Sequence, residues 1–197
     1  MCLMPRFTLA STAMRIAAVV LSAVLAAPAW ADEALWQELA KGRDLVVLMR
    51  HTEPSGGDPL AWDESGRCAG ESMLTSAGRA HAKRIGDAFS RRAIKLTVIS
   101  SPMCRCRDTA QIAFGRAPLT DGSLREVATA DASRMMDFER KAHAMIAAER
   151  GPVPVVFVSH RPNIDRLTME LIESGELLVG RVSPTGEVNV LGKIKIP

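Results

Sequence analysis

LVVLMRH, residues 45–51, is an apolar run that stops at a cation and an imidazole. It is too short for a helix and is bounded by Gly42 and Pro54, so it reads as a strand covered on both faces. Two more runs share this form: Leu96-Thr97-Val98-Ile99, followed by Ser100-Ser101-Pro102, and Val153 to Val158, followed by Ser159-His160. Helical patterns separate them. One spans about Thr75 to Arg92, with Ala77, His81, Ile85, Ala88 and Phe89 along a stripe. A second opens with Ser101 as N-cap and Pro102 at the first helical position and runs to Phe114. A third covers about Asp131 to Arg150, with Met135, Phe138, Ala142 and Met145 at helical spacing, and a fourth about Asn163 to Glu173. A short helix over 33–41, with Asp32 as N-cap, precedes the first strand. Glu176 to Arg181 and Glu187 to Ile194 read as closing strands around Ser183-Pro184-Thr185-Gly186. Helices alternating with buried strands predict an α/β fold, a three-layer α/β/α sandwich with a mostly parallel central sheet.

The 197 residues are 47% hydrophobic and 24% charged, with mean hydropathy +0.07, a globular composition that argues against disorder, collagen-like repeats or a multi-span membrane protein. The first 31 residues differ from the rest. They hold two arginines, Arg6 and Arg15, no acidic residue, and the apolar run IAAVVLSAVLAA ahead of Ala29-Trp30-Ala31. This is the pattern of a secretory signal peptide, with cleavage expected before Asp32 and either Met1 or Met14 as the start. The run is shorter than the roughly 20 residues that span a bilayer, so stable membrane insertion is not expected after cleavage. Residues 32–197 then form one domain, with no repeat, low-complexity tract or long linker. Removing two of the 25 basic side chains and none of the 22 acidic ones leaves this domain nearly neutral, which argues against nucleic-acid binding through a general basic surface.

In a mostly parallel sheet, ligands bind beyond the carboxyl ends of the strands. Here those ends carry Arg50-His51, Ser100-Ser101 with Arg105 one helical turn on, and Ser159-His160. Two guanidiniums, two imidazoles and the amides of a helix start suit a phosphoryl group. A neutral imidazole among cations resists protonation and keeps a ring nitrogen free to attack phosphorus, so the residues point to covalent phosphohistidine chemistry. No metal or organic cofactor is implied, because these groups can neutralise the phosphoryl oxygens themselves. The partner expected is a small phosphorylated substrate.

Four ordered blocks resemble the histidine phosphatase superfamily, with its phosphoglycerate-mutase-like and SixA-like members: LVVLMRHTEP (45–54), LTSAGRAHAKRIG (74–86), ISSPMCRCRDTAQIAFG (99–115) and VVFVSHRPNI (155–164). The resemblance covers nearly all of residues 32–197 and implies a phosphoglycerate-mutase-like fold. It also implies a nucleophilic His51 and a phosphoryl group held by Arg50, Arg105 and His160. Leu124-Arg125-Glu126-Val127 resembles the segment that supplies the general acid in the mutase-like branch, which makes Glu126 the acid. The glycine and second acidic residue that usually follow are replaced by ATADASR, so Asp131, Glu53 and Asp58 stay open as alternatives; SixA-like members act on phosphohistidine without such an acid. Thr52 stands where small members commonly have Gly or Ala, and His81 where they have Gln. Ser101 and Thr52 complete the expected substrate-binding set.

The reading that follows is a periplasmic or secreted phosphatase of the histidine acid phosphatase type. The alternative is a non-catalytic protein that binds a phosphorylated envelope component. Arg107 and Arg161 are candidates for the substrate rim. His81 and His143 lie in expected helices and read as structural, and Met135, Met136 and Met145 as core filler. Cys68, Cys104 and Cys106 follow the signal segment, and an oxidising compartment allows Cys68 to pair with Cys104 or Cys106; three unpaired thiols are the other reading. Their spacing matches no common zinc pattern.

Overall fold

The computed structural model describes residues 27–128 and 130–197. The expected signal peptide and the two candidate starts lie outside the described residues, except that 27–31 begin the first helix. That helix, α1 (Ala27–Lys41), is followed by β1 (Leu45–Arg50), a short ladder of β2 (Pro54–Ser55) with β3 (Met73–Leu74), and α2 (Ser76–Arg91). Next come β4 (Thr97–Ser100), α3 (Cys104–Phe114), β5 (Leu119–Thr120), a 3-10 turn (Gly122–Leu124) and α4 (Ala132–Ala148). β6 (Val155–Ser159), α5 (Arg161–Thr168), β7 (Leu177–Val182) and β8 (Val188–Ile194) complete the chain. The sheet order is β5-β4-β6-β1-β7-β8. β5, β4, β6 and β1 are parallel, and the β7–β8 hairpin closes one edge antiparallel to β1.

Alternation along β1 builds the layers. Leu45, Val47 and Met49 pack with Trp36, Leu39, Ile85, Phe89 and Ala110 of α1, α2 and α3. Val46 and Leu48 pack on the opposite face with Phe138, Ile146 and Ile164 of α4 and α5. A strand buried on both faces has no polar side to show, which is why its sequence is continuously apolar. The packing is close enough to dictate small residues. A Cβ on Gly78 would lie 2.3 Å from the Glu53 carbonyl oxygen, and one on Gly86 2.0 Å from that of Ala113. Gly78 thus lets the first turn of α2, capped by Thr75 Oγ1 on the Gly78 amide at 2.8 Å, press against the chain just after His51.

Several boundaries differ from expectation. α1 passes through Asp32, which is therefore not its cap; Pro28 falls in the first turn, where its missing N–H is not needed. α3 begins at Cys104 with Met103 as N-cap; Ser101 Oγ accepts the Met103 amide at 3.3 Å just ahead of the helix, and Glu71 accepts the Cys104 amide in its first turn. α5 ends at Thr168, closed by Met169 in the left-handed region at φ 59°, five residues before the expected end at Glu173. Met135 is buried, but Met136 is 64% exposed and fills no core. Among the described residues no helix is long and apolar enough to cross a membrane.

Candidate functional site

Strand register brings the expected residues to one level. Arg50 pairs with Ser159 across β1 and β6, and Ser100 with Val158 across β4 and β6. The ladder continues one residue further: the His51 amide donates to the Ser159 carbonyl at 3.0 Å and the Ser101 amide to that of Val158 at 2.9 Å. His51, Ser101 and His160 therefore leave three adjacent parallel strands together, and Arg105 enters from the first turn of α3.

Arg105 is the hub. It is 1% exposed; its Nε donates to His51 Nε2 at 3.2 Å and its Nη2 lies 3.1 Å from His160 Nδ1. The same Nη2 donates to the Pro59 carbonyl at 2.8 Å and forms a short ion pair with Glu126. A guanidinium has donors only, so both contacting ring nitrogens are acceptors and both imidazoles are neutral. His51 Nδ1 donates to the Thr52 carbonyl at 2.8 Å, which leaves the lone pair on Nε2. His160 Nε2 donates to Ser101 Oγ at 2.8 Å. The two rings are edge to face, 5.4 Å between centroids. Two nitrogens of the cationic pair, Arg105 Nη1 and Arg50 Nε, are buried without a hydrogen-bond partner among the described residues. Buried guanidinium donors left unpaired call for an anion.

The electrostatics agree with the geometry. Burial, with added repulsion from Arg105 and Arg50, lowers His51 from 6.5 to about 4, against a raising contribution from the Thr52 carbonyl. His160 is held well below its ordinary value by burial, then by Arg105, His51 and Arg50. Arg50, half-buried, is lowered by desolvation and by the exposed Arg161 beside His160, with Glu173 and Glu126 opposing. Glu126 is raised: burial outweighs the pull of Arg105. A neutral nucleophile, an unsatisfied cationic pair and a carboxyl group biased toward its protonated form can together transfer a phosphoryl group.

The carboxyl alternatives are placed differently. Asp131 caps α4, accepting the Arg134 amide at 3.1 Å; Asp58 accepts the Leu60 amide at 2.8 Å; Glu53 accepts from Thr75 Oγ1 at 3.2 Å. Glu126 is the candidate that reaches Arg105, and its Oε2 lies 3.4 Å from His160 Nδ1.

The two hydroxyls expected to bind substrate each contact a protein group. Thr52 is fully buried, with Oγ1 3.2 Å from Thr109 Oγ1, so its side chain fastens β1 to α3 and only its carbonyl serves His51. Ser101 Oγ is held by His160 Nε2 and fixes that ring. Of the helix-start amides, that of Cys104 is taken by Glu71 at 2.7 Å, a contact that no spacing in the sequence announces.

Arg107 is not at the rim. Its Nη2 donates to the Gly66 carbonyl at 3.0 Å and contacts the sulfurs of Cys68 and Cys104, which form a disulfide, while Cys106 is free and buried. His81 is structural, with Nε2 2.7 Å from the Ile196 carbonyl oxygen. Among the described residues no group of three or more His, Cys, Asp or Glu is placed to hold a metal ion.

Solved structures share this fold. The product of the open reading frame Rv3214 from Mycobacterium tuberculosis is 21% identical with a TM-score of 0.55, covering 74% of this chain and 94% of its own. A phosphoserine phosphatase from Entamoeba histolytica, solved with 3-phosphoglyceric acid, is 13% identical with a TM-score of 0.56, over 77% of this chain and 97% of its own. A protein histidine phosphatase SixA, solved with tungstate, is 12% identical with a TM-score of 0.50, over 76% and 96%. No curated protein matches the chain significantly. The family model of the histidine phosphatase superfamily (branch 1) matches residues 46–184, more than half of the sequence and the ends of β1, β4 and β6, and the chain belongs to that superfamily.

Proposed function

We propose that the protein is an exported phosphatase that hydrolyses a phosphomonoester or similar phosphorylated compound through a phosphohistidine intermediate on His51. The observation that carries this reading is the tautomer of His51. Its Nδ1–H is fixed on the Thr52 carbonyl, so the lone pair sits on Nε2, where it accepts from Arg105 Nε until a phosphoryl group takes over that donor. Burial keeps that lone pair unprotonated down to about pH 4.

In the first displacement Nε2 attacks phosphorus in line with the ester oxygen. The P–N bond forms as the P–O bond breaks, and the Glu126 carboxyl proton passes to the leaving oxygen. The positive charge that develops on the ring is shared through Nδ1–H with the Thr52 carbonyl. Arg50 and Arg105 hold the equatorial oxygens and neutralise the charge spread over them. An arriving phosphoryl dianion competes with Glu126 for Arg105, and its charge pushes Glu126 further toward the protonated state that donation needs. In the second displacement water attacks phosphorus, Glu126 takes its proton, and the P–N bond breaks to restore the neutral ring.

The likeness to structures named as phosphoserine and protein histidine phosphatases supports phosphorylated small molecules or phosphohistidine as the substrate class. The apolar leader with its Ala29-Trp30-Ala31 site supports export and maturation to residues 32–197, and a disulfide between Cys68 and Cys104 suits an oxidising compartment. The test is turnover of an aryl phosphate by the chain without its leader, with protein quenched in alkaline denaturant, where a P–N bond survives, assayed for phosphate on His51. Turnover lost in His51→Ala supports the reading; tight phosphate binding without turnover replaces it with the binding protein.

A further inference from the structure

Glu71 is a buried side chain that the chemistry above does not use. It lies in the long loop between β2 and β3, is 6% exposed, and has both carboxylate oxygens engaged by backbone amides, one at the start of α3 and one in its own loop. Oε2 accepts from the Cys104 amide at 2.7 Å, and Oε1 from the Asp63 amide at 2.9 Å. The first bond falls on the residue immediately before Arg105. The second falls on the loop whose Pro59 carbonyl holds the Arg105 guanidinium at 2.8 Å. α3 has no cap of the usual local kind, because its N-cap residue Met103 offers no side-chain hydrogen bond. A carboxylate reaching in from 33 residues away takes that place, at the helix end where negative charge is favoured.

We propose that Glu71 is a positioning residue for Arg105. It fixes the backbone of Arg105 through the Cys104 amide and fixes the guanidinium through the loop that carries Pro59, so that one carboxylate sets both ends of the side chain. The Cys68–Cys104 disulfide joins the same two segments, with 5.8 Å between Cα atoms. A disulfide limits separation, whereas a hydrogen bond to the first turn of a helix also sets its orientation. The proposal rests on the phosphoryl-binding role of Arg105 given above.

The test is a double-mutant cycle with Glu71→Gln and Arg105→Lys, read as kcat/KM on an aryl phosphate and as the inhibition constant of inorganic phosphate, well below each variant's melting temperature. Gln matches Glu in size but turns one acceptor into a donor that faces an amide N–H. Glu71→Gln is expected to weaken phosphate binding and lower kcat/KM about tenfold in the parent, as displacement of a catalytic group does. In the Arg105→Lys background the same change is expected to cost less than about twofold. Equal losses in both backgrounds, or no loss in the parent, overturn the proposal. Glu71→Asp, which keeps two acceptors, serves if the Gln variant does not fold, and its expected loss shows the same dependence on Arg105. If Arg105→Lys leaves the phosphate inhibition constant unchanged, the phosphoryl-binding reading fails and takes this proposal with it.

Discussion

Replacing His51 by Asn should remove a defined part of the protein's acid sensitivity. The folded ring is 4% exposed and flanked by Arg105 and Arg50, and it titrates near 4 instead of 6.5. Its proton is held more weakly in the folded state than in the unfolded one, so unfolding takes up a proton once the pH falls below 6.5. The stability tied to the neutral ring is therefore complete above 6.5 and is lost as the pH falls toward 4. Integrated from about pH 7 to about pH 4, a gap of two to three pKa units amounts to about 3 kcal/mol. Asn places an amide N–H where Nδ1 stood, so it keeps the bond to the Thr52 carbonyl and does not titrate. The assay is urea unfolding of parent and His51→Asn at both pH values, with stability taken from midpoint and slope. The parent should lose about 3 kcal/mol more than the variant over that interval. His160 titrates in both proteins and largely cancels; loss of repulsion from the neighbouring ring only widens the difference. Equal losses in the two proteins would refute the claim that His51 is buried as a neutral ring, and with it the basis for its nucleophilicity.

Four further outcomes follow from the same geometry. Glu126→Gln should lower kcat by about 10²-fold or more on an alkyl phosphate and by less on an aryl phosphate with a good leaving group, since protonation of the leaving oxygen matters most when that oxygen is basic; steady-state kinetics on both substrates checks this, and equal losses would move the acid elsewhere. Because burial raises Glu126, the alkaline limb of kcat against pH should lie above the ordinary carboxylate range, with activity falling as the pH rises through it, and should vanish in the Gln variant. The Cys68–Cys104 bond spans 36 residues, so Cys68→Ser with Cys104→Ser should cost roughly 3–4 kcal/mol of unfolding free energy by chain entropy, measured as a urea midpoint shift. Activity should survive dialysis against EDTA, because the Arg50 and Arg105 guanidiniums already supply the positive charge; loss restored by a divalent cation would contradict this.

How much of the site was legible follows from where each residue sits. His51, Arg105 and His160 were readable because each stands at or just past the end of a strand whose apolar run is continuous, and parallel register carries such ends to one level. Glu126 was readable only through resemblance, since it lies between a 3-10 turn and α4 in a stretch without periodicity. Thr52 and Ser101 stand beside the strand ends, where the sequence expects them, and their hydroxyls contact protein groups. A hydroxyl near a phosphate site looks like a ligand in sequence, and only packing shows that Thr109 and His160 already claim the two oxygens. Glu71 left no signal, because its partners are backbone amides, which every residue but proline possesses.

The sequence by itself determined the layers, the sheet and the superfamily, because burial on both faces writes itself as unbroken apolar runs and a helix face as a stripe. It also determined which residue types meet at the strand ends. Tertiary structure alone decided the tautomers of His51 and His160, the choice of Cys104 over Cys106 as partner of Cys68, which of four carboxyl groups reaches Arg105, and the cap that Glu71 places on α3. Those outcomes depend on distances of a few ångströms between segments tens of residues apart. Local sequence sets backbone propensity and burial, but such distances arise only when separate elements have packed.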